Sequence, residues 1–305
     1  MEPLDQKAYS MLKTLQPQVE DVLNTFLAKQ IAEAEDKYTP HSKLSIEALH
    51  DISVRGGKRL RAAFVHYAYQ MLAGTDTSHS LELAAIIELI HAYLLVEDDF
   101  MDVSATRRGG PTAHEIIKKY HVDARLKHDS THFGNAIAVT AGIMGSHMAM
   151  QWLSELNVAP ETRVALAQNL NRMLVVTSQG QINDVFNESL HQVTEKDVIN
   201  VLLWKTSAYT YENPLHSGAI LAGASLKELD TLSEYSYWGG IAFQIKDDIL
   251  GTFGEVDETG KSNMDDIREG KMTLLSVKAL EMANSAEQKS PSRGNRKSDT
   301  YRRYA

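Results

Sequence analysis

The sequence predicts an all-α fold, and three features of its 305 residues support this. Between the seven prolines lie long stretches rich in Ala, Leu, Ile, Met, Glu, Lys and Gln, which lose little side-chain freedom in a helix. Alternating β-branched segments bounded by turn pairs, which would indicate strands, are missing. Two segments, 80–104 and 226–250, are apolar on almost every side, as expected for helices surrounded by other helices. We therefore expect roughly ten helices in a single domain.

Composition and charge exclude several classes of protein. Lys and Arg total 31 and Asp and Glu total 40, so the net charge of −9 argues against nucleic acid or an anionic membrane as the main partner. The absence of cysteine excludes disulfides, thiolate metal sites and thiol catalysis. The N-terminus lacks the apolar stretch of a secretory signal, and no apolar run is long enough to predict a transmembrane segment. We expect a cytoplasmic protein.

Glycines mark the expected breaks between helices, at Gly56-Gly57, Gly74, Gly109-Gly110 and 251–254. The domain is expected to span residues 1–282. Residues 283–305 contain six basic and two acidic residues among Ser, Asn, Gly and Pro, without an apolar period. We predict a flexible, basic C-terminal tail there; in an alternative interpretation its Arg302 and Arg303 fold over bound phosphates.

Each of the two apolar segments ends in a cluster of carboxylates. The first cluster contains Asp98, Asp99 and Asp102, and the second contains Asp247 and Asp248. Asp98 and Asp102 share a helix face, near a helix C-terminus whose dipole is already negative, so the cluster requires a cation. Without cysteine or a clear histidine cluster, these oxygen ligands favour Mg²⁺, which takes its other ligands from water and phosphate. Either cluster alone could be a solvated helix end; together they predict two acidic helix ends that face each other.

Basic residues alternate with these carboxylates along the chain. Lys58 and Arg61 follow a glycine pair at an expected helix start and can reach one anion together. Arg107 and Arg108 follow the first acidic cluster within one loop. Further lysines accompany the second half of the chain, at Lys205, Lys261 and Lys271. An isolated basic pair is usually surface charge, but this alternation indicates a diphosphate-binding clamp with an apolar interior.

Several motifs together resemble the trans-type isoprenyl (polyprenyl) diphosphate synthases, particularly the geranylgeranyl and farnesyl diphosphate synthases. They occur in family order over about residues 50–280: GGKRLR, DDFMD followed by RRGG, GQINDV at 180–185, WKTS, FQIKDDILGTFG and GKSNMDDIREGKMTL. The resemblance implies a single-domain helical bundle around a deep central cavity, a homodimer and dependence on Mg²⁺. It also implies condensation of isopentenyl diphosphate with dimethylallyl, geranyl or farnesyl diphosphate to a longer all-trans product.

The resemblance implies a role for each matched position. The metal ligands would be Asp98, Asp102 and Asp247, supported by Asp99 and Asp248. The allylic diphosphate would be held by Arg107, Lys205, Thr206, Gln244, Lys261 and Lys271. Isopentenyl diphosphate would be held without metal by Lys58, Arg61, His91 and Arg108, although a single histidine on an apolar helix is more often a core residue. The carbonyl of Lys205, the hydroxyl of Thr206 and the amide of Gln244 are expected to face the allylic cation.

Product length is expected to depend on the helical turn before the first acidic cluster. Tyr93 and Leu94 lie five and four residues before Asp98, beneath the expected metal site. A single aromatic residue at the fifth position, without an insertion in the acidic motif, resembles the archaeal geranylgeranyl (C20) pattern. A farnesyl (C15) product is the alternative, and Tyr93 could also be an ordinary core residue.

Three other functions stay open, and three positions depart from the family pattern. A terpene cyclase would not need Lys58, Arg61 and Arg108. A non-catalytic subunit of a heteromeric synthase would not need both acidic motifs, and a metal-dependent phosphohydrolase would rely on the pair His128-Asp129. The departures are Ala62 for a common Pro, Glu97 for a frequent His, and Gly251 for the last Asp of the second motif.

Overall fold

The protein is all-α, as predicted. A computed structural model describes residues 4–72, 77–254 and 271–282. In chain order the helices are α1 Leu4–Lys37, α2 Lys43–Val54, α3 Leu60–Leu72, α4 Ser78–Met101, α5 Ala113–Asp123, α6 Ser130–Glu155, α7 Pro160–Ser189, α8 Glu195–Val201, a π-helical segment Leu202–Glu212, α9 Asn213–Leu221, α10 Leu226–Phe253 and α11 Leu274–Met282. Within these ranges, strand structure is confined to β1 Thr106–Arg107 and β2 Gly110–Pro111.

The chain divides into two compact units. The first comprises Met1–Asn169 and Pro214–Ser225, and the second comprises Leu170–Asn213 and Leu226–Ala305. The single domain over residues 1–282 stays a prediction. The expected break at Gly74 and the tail predicted at 283–305 lie outside the described residues.

Helix α4 forms the centre of the first unit and packs against α6, α3, α1 and α2. Its side chains are buried on several faces, for example Leu83, Ile86 and Leu89, because its sequence is apolar all round. Gly145 lets α6 approach closely, since a Cβ there would lie 2.7 Å from the Cβ of Tyr93. Helix α4 is long and apolar enough to cross a membrane by composition, but 67% of its apolar window is buried inside the protein.

The connection between α5 and α6 contains the His128-Asp129 pair. Asp129 caps α6 by accepting a hydrogen bond from the backbone N–H of His132 at 2.6 Å, and His128 has a φ of +73°. A side chain that satisfies a free helix N–H has a structural task. The geometry therefore gives the pair a role in starting a helix, without any need for the phosphohydrolase interpretation.

In the second unit, α10 packs closely against the π-helical segment Leu202–Glu212. A Cβ at Gly240 would lie 2.5 Å from the Cα of Ser207, so this glycine permits the approach. The adjoining core contains Val198, Leu202 and Val277. Helix α10 ends at Phe253, within the break predicted at 251–254, although Gly251 itself is still helical, because one glycine costs a helix only about 1 kcal/mol.

Candidate active site

The first acidic cluster lies at the C-terminal end of α4. Asp99 is fully buried, and the Nε of Arg107 donates to its Oδ1 at 2.6 Å. Arg107 Nη2 also lies 3.4 Å from Asp98 Oδ2. Burial alone would lower the pKa of Arg107, but the hydrogen bond and charge of Asp99 outweigh it, so the pKa is raised. Asp98 is partly exposed, and Asp102 follows one helical turn later as the C-cap of α4.

The two consecutive arginines after this cluster point to different partners. They lie on a small hairpin in which Arg107 pairs with Gly110 and the turn residues are Arg108 and Gly109. Both turn residues have positive φ, +50° and +73°, as in a type I′ turn, and the left-handed region is strained for arginine. Arg107 binds the carboxylates, whereas Arg108 Nη2 lies 3.3 Å from His91 Nε2.

Arg61, His91 and Arg108 form a second cluster, in which both arginines contact the histidine ring. His91 Nε2 lies 3.3 Å from a guanidinium nitrogen of each arginine. Because a guanidinium can only donate, this nitrogen accepts and the ring proton is assigned to Nδ1. Burial, followed by the charges of Arg61 and Arg108, holds the pKa of His91 well below its ordinary value of 6.5. Two cations beside a neutral ring make a site for an anion.

His91 should make folding stability sensitive to acid. Below about pH 6.5 the unfolded chain protonates this histidine and the folded protein does not, so stability falls by about 1.4 kcal/mol per pH unit. His91→Gln is expected to lose about 1–2 kcal/mol less stability between pH 7 and pH 5 than the parent, measured by urea unfolding. Burial also lowers the pKa of His50, His66 and His114, which are unchanged in the variant. If the parent and His91→Gln lost equal stability between pH 7 and pH 5, His91 would not be a source of the acid sensitivity.

A buried ion network holds the loop before α3. Arg59 has a φ of +51° and is 4% exposed. Its Nη1 lies 3.2 Å from Glu88 Oε2, and its Nε lies 3.1 Å from Glu20 Oε1. Glu88 Oε1 also accepts from the backbone N–H of Ala62 at 3.2 Å. The network therefore fixes the loop on which the exposed Lys58 lies.

The second unit contains a cavity of about 140 Å³ that collects many of the predicted residues. Thr206 Oγ1 donates to Gln244 Oε1 at 2.9 Å, and Gln244 Nε2 donates to Asp248 Oδ1 at 2.9 Å. Asp248 is buried and Asp247 is exposed. The predicted residues that line the cavity are Lys205, Thr206, Gln244, Asp247, Asp248 and Lys271. Lys261 lies outside the described residues.

Asp184 also lines this cavity and was not predicted. Its Oδ2 lies 2.7 Å from Lys205 Nζ. The signal was present, because Asp184 belongs to the GQINDV motif that contributed to the resemblance, but no role was assigned to it. A Cβ at Gly180 in the same motif would lie 2.3 Å from the backbone nitrogen of Lys205, so the glycine lets α7 contact the π-helical segment.

The residues expected to limit product length, Tyr93 and Leu94, lie on α4, and Tyr93 faces α6. Tyr93 is 5% exposed, and its hydroxyl is hydrogen-bonded with Ser146. Burial raises the pKa of Tyr93 to about 12. Leu94 is partly buried. Burial also raises the pKa of Glu97, whose side chain adjoins Gly142: a Cβ at that glycine would lie 2.9 Å from Glu97 Cγ.

The carboxylates of the first cluster fit a hard divalent cation. Within the described residues, no three acidic or histidine side chains are gathered so as to hold a metal ion. Asp98 and Asp102 offer oxygen ligands one helical turn apart, as Mg²⁺ prefers, and Arg107 offsets the charge of Asp99. The second acidic cluster belongs to the other unit, so its predicted position opposite the first stays a prediction.

The chain is similar to known proteins in sequence and in structure. A model of the polyprenyl synthetase family matches residues 42–301. The geranylgeranyl diphosphate synthase of Sulfolobus acidocaldarius is 32% identical over 245 residues, which are 80% of this chain and 69% of the relative. The geranylfarnesyl diphosphate synthase of Aeropyrum pernix is 33% identical over 249 residues, 80% of this chain and 73% of the relative.

A solved structure is similar over most of its length. The geranylgeranyl pyrophosphate synthase of Corynebacterium glutamicum, complexed with isoprenyl diphosphate and magnesium, has a TM-score of 0.87 and 32% identity. The match covers 93% of this chain and 81% of that one. The family match also includes both acidic clusters and the basic residues from Lys58 to Lys271. The chain therefore belongs to the polyprenyl synthetase family and is a short-chain trans-prenyltransferase.

Proposed function

We propose that the enzyme condenses isopentenyl diphosphate with an allylic diphosphate and produces geranylgeranyl diphosphate. One observation carries this proposal: consecutive arginines serve two kinds of site within one unit. Arg107 binds the carboxylates of Asp98 and Asp99, and Arg108 binds His91 next to Arg61. A terpene cyclase needs only the first site, because it has one diphosphate substrate. An enzyme that joins two diphosphates needs both.

Asp98 and Asp102 are the proposed Mg²⁺ ligands of the first unit, with Asp247 from the second, and Asp99 and Asp248 in support. Their oxygen ligands suit this ion, and the Corynebacterium relative is complexed with magnesium. When bound, Mg²⁺ supplies positive charge that stabilises the leaving diphosphate.

The chain's own residues stabilise charge and orient the two substrates. Arg107, Lys205 and Lys271, with Lys261, stabilise the charge that grows on the allylic diphosphate as its C–O bond breaks. Arg61 and Arg108, with Lys58, hold the other diphosphate so that its double bond lies near the allylic carbon. A C–C bond forms, and the released diphosphate takes the proton that the product loses.

In this proposal, polar groups of the second unit stabilise the carbocation, and the apolar helices keep water away from it. Thr206 donates its hydroxyl proton to Gln244, so the lone pairs of its oxygen can face positive charge, together with the Lys205 carbonyl. Helix α4 presents an apolar surface, and exclusion of water prevents capture of the cation as an alcohol. These groups would act on the cation without reacting with it.

Tyr93 is the proposed limit to chain growth. It is buried one turn before Asp98, and its ring occupies space between α4 and α6. Tyr93→Ala is expected to shift the main product from C20 to longer chains, measured by sizing the dephosphorylated products. Tyr120→Ala, on the exposed surface of α5, serves as the control. An unchanged product distribution in a folded Tyr93→Ala protein would show that Tyr93 is an ordinary core residue.

A single assay tests the proposed function. The protein is incubated with Mg²⁺, labelled isopentenyl diphosphate and each of the C5, C10 and C15 allylic diphosphates, and a parallel sample contains a chelator. Elongation to C20 that the chelator abolishes supports the proposal. A C15 end point would indicate a farnesyl diphosphate synthase. Hydrocarbon formed without isopentenyl diphosphate would indicate a cyclase, and complete inactivity would favour a non-catalytic subunit.

We further propose a cytoplasmic homodimer, which the resemblance implies. Ile143 on α6 and Val164 near the start of α7 are exposed apolar residues that a second copy could cover. Light scattering coupled to size exclusion tests the dimer; a monomer at micromolar concentration would contradict it. No nucleic-acid partner is expected.

A further inference from the structure

We propose that Arg55 is a positioning residue that fixes the hairpin of Arg107 and Arg108, and that position 110 is glycine because the Arg55 guanidinium fills the space of a side chain there. This inference rests on the proposed function, since it concerns how the two diphosphate-binding arginines are aimed. Neither Arg55 nor Gly110 belongs to the predicted binding set.

The side chain of Arg55 binds the backbone of both strands of the hairpin. It is the C-cap of α2, and its guanidinium is held by the carboxylate of Asp51. Its Nη1 donates to the carbonyl of Arg107 at 2.8 Å, and its Nη2 donates to the carbonyl of Pro111 at 2.8 Å. These carbonyls belong to the two opposite strands of the hairpin. One planar side chain therefore ties both strands to the end of α2.

The Arg55 guanidinium occupies the space that a side chain at position 110 would need. A Cβ on Gly110 would lie 2.1 Å from Arg55 Nη1 and 2.7 Å from its Cζ. Gly110 does not have a left-handed backbone, unlike its neighbour Gly109 with a φ of +73°. A side chain at position 110 would therefore have to displace the Arg55 guanidinium from its place against the hairpin.

The side chain of Arg108, on the hairpin, contacts the backbone at the end of α2. Its Nη1 lies 3.2 Å from the carbonyl of Ile52 and 3.4 Å from that of Arg55. The Arg55 side chain thus holds the hairpin backbone, and the Arg108 side chain holds the end of α2. Because Arg108 also contacts His91, loss of Arg55 would loosen the hairpin and the anion-binding cluster together.

A direct role in binding phosphate is the competing explanation for Arg55. Its donors are already directed at two carbonyls and one carboxylate, and its side chain is only 20% exposed. Arg55→Lys separates the two roles. Lysine keeps the positive charge but cannot direct two donors from one rigid plane. If Arg55 positions the hairpin, Arg55→Lys should raise KM for isopentenyl diphosphate as much as Arg55→Ala does. If only its charge matters, Arg55→Lys should keep the KM of the parent protein.

The test is a double-mutant cycle between Arg55→Ala and Gly110→Ala in the full chain. Each single variant should raise KM for isopentenyl diphosphate about tenfold, because each removes donors from the same carbonyls. The double variant should be no worse than Arg55→Ala, since the clash at 110 is absent without the guanidinium. Unfolding temperatures of all variants are measured alongside. Arg163→Ala, which removes a 3.0 Å guanidinium contact to the Leu156 carbonyl, is the matched control with unchanged KM.

Three outcomes would overturn the inference: an unchanged KM in Arg55→Ala, rescue by Arg55→Lys, or additive effects of about a hundredfold in the double variant. Calorimetric titration with inorganic pyrophosphate repeats the cycle without turnover. If the parent protein does not elongate isopentenyl diphosphate, the proposed function fails, while non-additive changes in pyrophosphate affinity would still support the Arg55–Gly110 coupling.

Discussion

Asp98→Asn is expected to lower kcat/KM by at least about a thousandfold. The substitution removes the negative carboxylate that would hold Mg²⁺, and this ion would stabilise the leaving diphosphate. Asparagine keeps the shape of the side chain but is a poor ligand for Mg²⁺. Asp98 is partly exposed at the end of α4, one turn from Asp102. The measurement is steady-state kinetics with saturating Mg²⁺ and varied allylic diphosphate.

The control for this variant is Asp123→Asn. Asp123 is an exposed residue of α5 whose carboxylate lies 2.6 Å from Lys119, and such surface pairs contribute little. Its activity should equal that of the parent. If Asp98→Asn retained more than about a tenth of the parent kcat/KM, Asp98 would have no part in holding a metal.

Glu88→Gln is expected to lower the free energy of unfolding by about 3–5 kcal/mol. Among the described residues, the substitution leaves the buried Arg59 with the more exposed Glu20 as its one remaining acidic partner. Gln can still accept from the N–H of Ala62, so the change isolates the loss of charge. Urea unfolding measures the difference.

Glu115→Gln provides the comparison for Glu88. Glu115 pairs with Lys118 at 3.0 Å on the surface of α5, and this pair should contribute at most about 0.5 kcal/mol. A loss below about 1 kcal/mol in Glu88→Gln would contradict the account, since it would mean that Glu20 alone compensates Arg59.

The long helices could be predicted from the sequence because their signal is local. The segments expected at 80–104 and 226–250 correspond to α4 at Ser78–Met101 and α10 at Leu226–Phe253. Helix α4 is buried on several faces, as its apolar sequence predicts. The expectation that α10 is likewise surrounded by other helices was wrong, since its Tyr235, Trp238 and Phe253 are exposed. An apolar pattern predicts the helix but does not specify a neighbour for each of its faces. Because each acidic cluster lies at the end of an apolar segment in the sequence, its position at or near the end of a helix could be predicted as well.

Other features depend on residues that are distant in sequence. The strands β1 and β2 contain two residues each, too few for an alternating pattern. The pairing of Arg59 with Glu88 joins residues of different elements, as does that of Lys205 with Asp184. The π-helical segment depends on packing against α10 and α7, through glycines whose neighbours a single sequence does not reveal.

One peptide bond separates the arginine that engages the carboxylates from the arginine that engages His91. We therefore expect an anion that moves one of these arginines to move the other as well. Thermodynamic linkage makes such coupling reciprocal: whatever factor one diphosphate imposes on the affinity for its co-substrate, the co-substrate returns. An inhibitor that mimics a single diphosphate should consequently change the dissociation constant of the substrate it does not compete with.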